Sequence, residues 1–194
     1  VMRARNKLTK LLKWINGLIL LLVLGCVFAC KQAGEQNKNV FSYNETTGIA
    51  TLDPAFAKNQ SIMWAVHQVY NTLVEIDTGL NIRPSLAHSW EISADRKVYT
   101  FHLRKDVRFH NDAAFPDGKG RLLTAADVVF SLQRIIDPKT ASSGAWIFNG
   151  RIDPIAPFTA LNDSTFQLKL LRPFQPILGI LSMQYCSILP KEAV

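Results

Sequence analysis

Alternating apolar and polar residues predict strands within residues 40–194. Apolar and polar residues alternate from Tyr99 to Arg104, which predicts a strand at 98–104 with one buried face. An apolar stretch at 90–92 precedes them across a polar turn, and together the two segments predict a β-hairpin. A second alternation at 166–170 predicts another half-buried strand, and residues 40–43 are a short strand candidate. The hairpin residues predicted to face the core are Tyr99, Phe101 and Leu103.

Helical spacing of apolar residues predicts two helices. The first runs from Ile62, where apolar residues recur at steps of three and four. The second begins at Thr124, whose hydroxyl can cap a helix, and Asp127 suits its positive N-terminal end. Asp137 and Pro138 end this helix, and the whole segment predicts a mixed α/β fold. The predicted buried stripes are Ile62, Val66, Val69 and Leu73 in the first helix and Val128, Leu132 and Ile135 in the second.

A basic stretch followed by an uncharged apolar stretch opens the chain. Residues 14–30 carry no charge and consist mainly of Leu, Ile and Val, which is the layout of a signal peptide. A retained membrane span is the alternative, because the stretch has the shortest length that crosses a bilayer. Both interpretations place the folded part outside the cytoplasm. The basic residues are Arg3, Arg5, Lys7, Lys10 and Lys13.

Two cysteines end segments that resemble bacterial lipoboxes. Cys30 follows Val-Phe-Ala and Cys26 follows Val-Leu-Gly. In such signals the cysteine is acylated and becomes the N-terminus, and its acyl chains hold the protein on a membrane. Cys30 is the predicted lipidation site, because cleavage at Cys26 would leave an apolar stub; Cys26 and an uncleaved anchor are the alternatives. The predicted organisation is a lipoprotein signal peptide at 1–29, a lipid-anchored flexible tether at 30–39 and a folded domain at 40–194.

Charge and motif content argue against two classes of function. The formal net charge is +7, but the five leading basic residues account for most of it and leave about +2. Such a remainder lacks the clustered basic face that phosphate backbones need, so nucleic acid is not a predicted partner. The sequence has no phosphate-binding loop, dinucleotide fingerprint or zinc-protease helix, and no recognisable catalytic order of Ser, His and Asp. We therefore predict no enzyme activity, no catalytic residue and no cofactor.

The histidines and the last cysteine are predicted to be structural. No histidine has a partner at metal-ligand spacing, so the sequence predicts no metal site. Cys186 stands apart from the two leading cysteines and is predicted to be a small buried apolar residue. The histidines are His67, His88, His102 and His110.

Five stretches resemble, in order and spacing, the opening of a known family. They are TLDPA at 51–55, VYNTLVE at 69–75, PSLAHSWE at 84–91, YTFHLRKDVRFH at 99–110 and LTAADVVFSLQRIIDP at 123–138. The chain resembles bacterial extracellular solute-binding protein family 5, the oligopeptide-, dipeptide- and nickel-binding components of ABC transporters. The resemblance implies a periplasmic-binding-protein-like architecture of type II, with two lobes around a cleft. Because members of the family are much longer, it also implies a truncated chain that holds only the N-terminal part of the first lobe.

The resemblance implies an extracytoplasmic lipoprotein that captures peptides and delivers them to an ABC importer. The implied partners are a peptide ligand, the permease subunits of the importer and a membrane bound through the lipid anchor, and the implied state is a monomer. The implied location is the bacterial cell envelope, on the outer side of the cytoplasmic membrane or in the periplasm or outer membrane. Two alternatives stay open: a nickel complex, haem or oligosaccharide as ligand, and a surface lipoprotein without a transport role.

The resemblance also implies two groups of ligand-contacting residues. One is the loop after the first strand, with Lys58, Asn59, Gln60 and Ser61, and the other is the region 142–146, with Ser143, Gly144 and Trp146. The alternative is that the polar residues are only solvated and that Trp146 belongs to the core. In the family, the groups that pair with the terminal charges of a peptide lie later in the chain, so this sequence does not identify the ligand.

Overall fold

The computed structural model describes Trp14, Ile15, Ser42 and residues 44–194. Cys26, Cys30 and the tether lie outside the described residues, as do the signal peptide except Trp14 and Ile15 and the strand candidate at 40–43 except Ser42. The elements below all belong to one compact unit, Glu45–Val194.

Antiparallel strands build two sheets in this unit. The smaller sheet pairs β1 (Val74–Ile76) with β2 (Ile82–Pro84). The larger sheet has the order β3-β4-β6-β5, so that the hairpin β3-β4 and the hairpin β5-β6 meet along β4 and β6. Its strands are β3 (Ala87–Ile92), β4 (Val98–Leu103), β5 (Phe158–Asn162) and β6 (Thr165–Lys169).

Three α-helices accompany the sheets within Glu45–Val194. They are α1 (Gln60–Val69), α2 (Ala125–Ile136) and α3 (Ile177–Leu181). Helix α2 packs against β5 and β6 and buries its apolar stripe, while the carboxylate of Asp127 accepts from the Thr124 amide at 2.9 Å. This capping arrangement and the end of the helix at Ile136, before Asp137 and Pro138, confirm the prediction for this segment.

The predicted hairpin and its buried face are confirmed. Strands β3 and β4 pair across the polar turn, and every second residue of β4 is buried. An aromatic row crosses the sheet at this level, because Phe101 lies between Trp90 on β3 and Phe166 on β6, with ring centroids 6.4 and 6.0 Å apart. The predicted strand at 166–170 is also confirmed, as β6.

The predicted apolar stripe of the first helix is only half right. Ile62 and Val66 are buried on α1, but Val69 is 44% exposed and Leu73 lies beyond the helix. The reason is that Tyr70 has extended backbone angles, φ −123° and ψ 152°, which end the helix before the next turn. Leu73 is buried all the same, because the chain turns there into β1.

Cys186 is 1% exposed and packs in the hydrophobic core, as predicted. Its burial without a nearby positive group raises the pKa of the thiol above its ordinary value. The thiol is therefore neutral and unreactive in the folded chain.

Arg121 holds the last turn of the described chain against the loop before α2. Its guanidinium contacts the nearly buried Asp127 at 2.6 Å and Glu192 at 2.9 Å, and it lies 5.3 Å from the ring centroid of Phe109. The hydrogen bonds from Arg121 lower the pKa of the Glu192 carboxyl to about 2. The hydrogen bonds from Arg121 to both carboxylates are therefore charge-assisted.

Acid is expected to break the ion pair between Arg121 and Glu192 only at an unusually low pH. Because the folded pKa of Glu192 is depressed, the contact is complete above the ordinary carboxyl pKa of about 4.3 and is lost as the pH falls towards about 2. NMR of the Glu192 carboxyl carbon measures the midpoint of its titration. The variant Arg121→Gln should return the midpoint towards the ordinary value, and the control Arg83→Gln, which removes a different ion pair, should leave it low. An ordinary titration midpoint in the unsubstituted chain would contradict the ion pair between Arg121 and Glu192.

Candidate functional site

The first predicted group follows a short 3-10 turn at Pro54–Phe56. Lys58 and Asn59 precede α1, and Gln60 and Ser61 are its first two residues. The carboxamide oxygen of Asn59 caps the helix by accepting from the Ile62 amide at 3.0 Å. Lys58, Asn59 and Gln60 are exposed, and Ser61 is half-buried. The segment therefore presents polar side chains from a position that the helix start holds in place.

The second predicted group lies beside the turn that precedes the first. Ser142 is 8% exposed, and its hydroxyl donates to the Ala55 carbonyl oxygen at 2.6 Å and accepts from the Gly144 amide at 3.0 Å. Ala55 belongs to the turn that leads into Lys58. One buried hydroxyl thus connects the loop at 142–146 to the turn before the first group.

Tyr185 packs against the second loop from the other side. A Cβ added to Gly144 would lie 2.5 Å from the Tyr185 ring, so only glycine fits there. The hydroxyl groups of Tyr185 and Ser143 are 3.4 Å apart. Ser143 is exposed and Gly144 is buried, so the loop offers the serine side chain and not the glycine to solvent.

Trp146 lines a cavity that no other predicted ligand-contacting residue lines. Its side chain is 56% exposed, so the alternative that it is a core residue is wrong. It lines a cavity of ≈ 490 Å³ together with Phe148, Ile152 and Leu171. None of Lys58, Asn59, Gln60 and Ser61 lines this cavity, and the contacts that join Ser142 to the first group do not extend to the indole.

The structure adds residues that the sequence did not single out. Thr47 contacts the hydroxyl of Ser61 at 2.7 Å and donates its own hydroxyl to Glu45 at 2.7 Å. Neither residue stands in a periodic pattern, so the sequence gives no signal for them. Asp53 did carry a signal, since it lies in the TLDPA stretch, but its partner Arg134 is 81 positions away.

Asp53 and Arg134 anchor the turn that precedes the first group. The two hydrogen bonds between them are 3.0 and 2.7 Å long, and the Asp53 carboxylate also accepts from the Ala55 amide at 3.0 Å. Burial alone would raise the pKa of Asp53, but the hydrogen bonds from Arg134 and Ala55 outweigh it and leave the pKa below its ordinary value. The carboxylate is therefore charged at neutral pH, and α2 fixes the turn through an ion pair.

A smaller cavity of ≈ 280 Å³ lies beside Val69 and Tyr70, at the end of α1. Its floor is apolar and includes Leu86, Phe109 and Phe115, while Arg108 and His110 stand among its polar lining residues. None of the predicted ligand-contacting residues lines it. It is therefore not the site that the resemblance implies.

Within Trp14, Ile15, Ser42 and 44–194, no three His, Cys, Asp or Glu side chains are grouped so that they could hold a metal ion. His102 contacts Glu91 at 3.2 Å and stacks on His88, and His67 lies 3.5 Å from Gln184. No helix of this part of the chain has the length and apolar character to cross a membrane.

Comparison with known families decides the class of protein. The profile of bacterial extracellular solute-binding proteins, family 5 Middle, matches residues 81–193. The chain belongs to this family. Its members are substrate-binding proteins of ABC transporters that work outside the cytoplasm, and they are not enzymes.

Two curated relatives show the range of the family. The dipeptide-binding protein of Escherichia coli K12 is 41% identical over 132 residues, which are 64% of this chain and 24% of the relative. Heme-binding protein A of Haemophilus influenzae is 34% identical over 185 residues, which are 84% of this chain and 34% of the relative. The chain thus spans about a quarter to a third of the length of the curated relatives it matches.

A solved family structure shares the fold. The ABC transporter-associated periplasmic binding protein DppA from Helicobacter pylori, in complex with peptide STSA, aligns with a TM-score of 0.66 at 35% identity. The alignment covers 75% of this chain and 30% of that structure. The predicted α/β fold of the periplasmic-binding-protein class is therefore confirmed, with the match confined to part of the two-lobed architecture.

Proposed function

We propose that the whole protein is an extracytoplasmic lipoprotein that captures peptides and delivers them to an ABC importer. The observation that supports this proposal is the hydrogen bond from Ser142 to Ala55, which joins the second predicted group to the turn that precedes the first. It brings together two distant segments that carry exposed polar side chains, in a family whose relatives include a dipeptide-binding protein and a structure in complex with a peptide.

The exposed polar side chains of these two segments suit the backbone of a peptide. Asn59 and Gln60 offer amide groups, Ser61 and Ser143 offer hydroxyls, and all four can hydrogen-bond to peptide groups without reading side chains. Lys58 adds an exposed positive charge that can pair with a carboxylate. Trp146 lines a cavity of its own, and we propose a ligand contact for it only where a bound peptide extends beyond the two groups.

The membrane attachment and the partners belong to the same proposal. Lipidation at Cys30, with Cys26 as the alternative, would hold the protein at the membrane through its acyl chains. Permease subunits of an importer would then receive the ligand from a monomer that stays close to them. The lipobox-like residues before Cys30 support this part, and radiolabelled palmitate incorporation that is lost in Cys30→Ser tests it.

Haem is the second candidate ligand. Heme-binding protein A of Haemophilus influenzae matches a larger share of this chain than the dipeptide-binding protein does, 84% against 64%. The peptide proposal is preferred because both loops expose small hydrogen-bonding groups, whereas a haem site needs a broad apolar slot. Haem binding is therefore included in the test below.

Calorimetric titration of the whole protein, expressed without residues 1–29, tests the proposal. A pool of di- to hexapeptides should release heat and remain bound through gel filtration, so that mass spectrometry gives the preferred length. Hemin is titrated in parallel. Retention of hemin and not of peptides would overturn the peptide assignment, while leaving the family membership unchanged.

The double variant Lys58→Ala, Gln60→Ala is expected to weaken peptide binding by about tenfold or more, because it removes one charged and one neutral hydrogen-bonding group. Lys105→Ala is the control, since Lys105 is exposed and lies outside both loops. Isothermal titration of the three proteins with one selected peptide gives the ratio of dissociation constants. Equal affinity of the double variant and the control would contradict the assignment of the first group.

A further inference from the structure

We infer that Ser142 is a positioning residue that holds the two ligand-contacting loops in register with each other. The inference rests on the proposed function, because it concerns the geometry of the same surface. Ser142 itself is buried, with 8% of its surface exposed. Its role is carried out through Ala55 on one side and Gly144 on the other.

The hydroxyl makes one hydrogen bond to the turn that precedes the first group and one within its own loop. As a donor it binds the Ala55 carbonyl oxygen at 2.6 Å, and as an acceptor it binds the Gly144 amide at 3.0 Å. Ala55 is 2% exposed and Gly144 is also buried. Water therefore cannot replace the hydroxyl without opening the loops, and its removal leaves a buried carbonyl and a buried amide without this partner.

The two segments that Ser142 joins each have a support of their own, so the position of one loop relative to the other depends on the bridge between them. The turn at Pro54–Phe56 is held by the ion pair of Asp53 with Arg134. The other loop is held at Gly144 by the Tyr185 ring. Each loop is thus fixed to its own support, and the described contacts of Ser142 connect the two supports near the surface.

Ser131 is a matched control for Ser142. It is 3% exposed, and its hydroxyl also bridges distant backbone groups, donating to the Asp127 carbonyl oxygen at 2.7 Å and accepting from the Leu189 amide at 3.0 Å. It lies on α2, and its contacts involve neither ligand-contacting loop. Substitution of either serine by alanine removes the same chemical group from a similarly buried bridge.

The test compares Ser142→Ala and Ser131→Ala in the whole protein, expressed without residues 1–29. Peptide affinity is measured by calorimetry with one selected peptide, and thermal midpoints verify that both variants are folded. Ser142→Ala should weaken binding by about tenfold, while Ser131→Ala should bind as the unsubstituted protein does. A purely structural role of Ser142 would lower both midpoints alike and leave the affinities equal.

Hydrogen exchange gives a second measurement that does not depend on the ligand. In Ser142→Ala, the amide of Gly144 should exchange at least tenfold faster, and the amides of residues 58–61 should also lose protection. Ser131→Ala should change neither segment. Protection of 58–61 that is equal in the two variants would overturn the inference.

The two measurements separate this inference from the proposed function. Peptide binding that is weakened in Ser142→Ala alone supports both, and binding that is equal in the two variants overturns the inference and keeps the peptide assignment. If the unsubstituted protein binds no peptide, the peptide assignment fails, and exchange alone decides the positioning role. Faster exchange at 58–61 in Ser142→Ala then supports it, and unchanged exchange overturns it.

Discussion

Replacing Phe101 by alanine is expected to lower the free energy of unfolding by about 3–5 kcal/mol, which is the range for truncating a buried phenylalanine. Phe101 is completely buried at the centre of the aromatic row, with Trp90 and Phe166 on either side. Both neighbours are fixed by strand pairing, so the sheet cannot collapse into the space that the ring leaves. The cavity term is therefore added to the loss of apolar burial.

Urea unfolding of the chain expressed without residues 1–29, followed by tryptophan fluorescence, measures this effect. Leu161→Ala is the control, because Leu161 stands on β5 of the same sheet but is 53% exposed. The free energy of unfolding of the control should fall by less than about 1 kcal/mol. Similar losses in both variants would mean that the aromatic row does not form the centre of the core.

Replacing Arg134 by methionine is expected to lower the free energy of unfolding by about 2–3 kcal/mol. Removing one member of a fully buried ion pair costs about 3–5 kcal/mol, and this pair is only partly shielded, with side-chain exposures of 11% for Arg134 and 28% for Asp53. The substitution leaves the Asp53 carboxylate next to the turn at Pro54–Phe56 without its charged partner. The turn should loosen, and residues 58–61 with it.

A double-mutant cycle with Asp53→Asn measures the energy of the pair itself. The double variant should lose less than the sum of the two single variants, by about 1 kcal/mol or more. The pH dependence has a defined sign, because the pKa of Asp53 is lowered. The stabilisation is present above the ordinary value of about 3.9 and is lost as the pH falls through the folded pKa. Additive losses would show that the two side chains do not stabilise each other.

Sequence patterning predicted those elements whose environment differs strongly between two faces. Strand β4 has one face in the core and one that is half exposed, so its alternation is visible in the sequence. Helix α3 was not predicted, since its run Ile-Leu-Gly-Ile-Leu is apolar on every side and has no period. Strand β5 was missed because only Phe158 at its start is buried. The end of α1 was misplaced because the extended conformation of Tyr70 has no signal in the spacing of apolar residues.

The candidate site was predictable only as separate pieces. The resemblance indicated both loops, but the hydrogen bond that joins them connects residues 87 positions apart. Ser142 appeared in the sequence as one polar residue in a polar loop, and its burial follows from tertiary packing alone. Trp146 shows the opposite case, since an aromatic residue that composition would place inside the core lies on the surface.

The order of strands in the larger sheet has a consequence for how the chain folds. Each hairpin, β3-β4 or β5-β6, can form from neighbouring residues, but the two hairpins meet through pairs such as Thr100 and Gln167, 67 positions apart. Closing so long a loop costs conformational entropy before any pairing energy is gained. The docking of the two hairpins should therefore limit the folding rate. Until they dock, β4 and β6 each have an unpaired edge that other chains can join, so a high concentration of partly folded chains favours aggregation of this half-formed sheet.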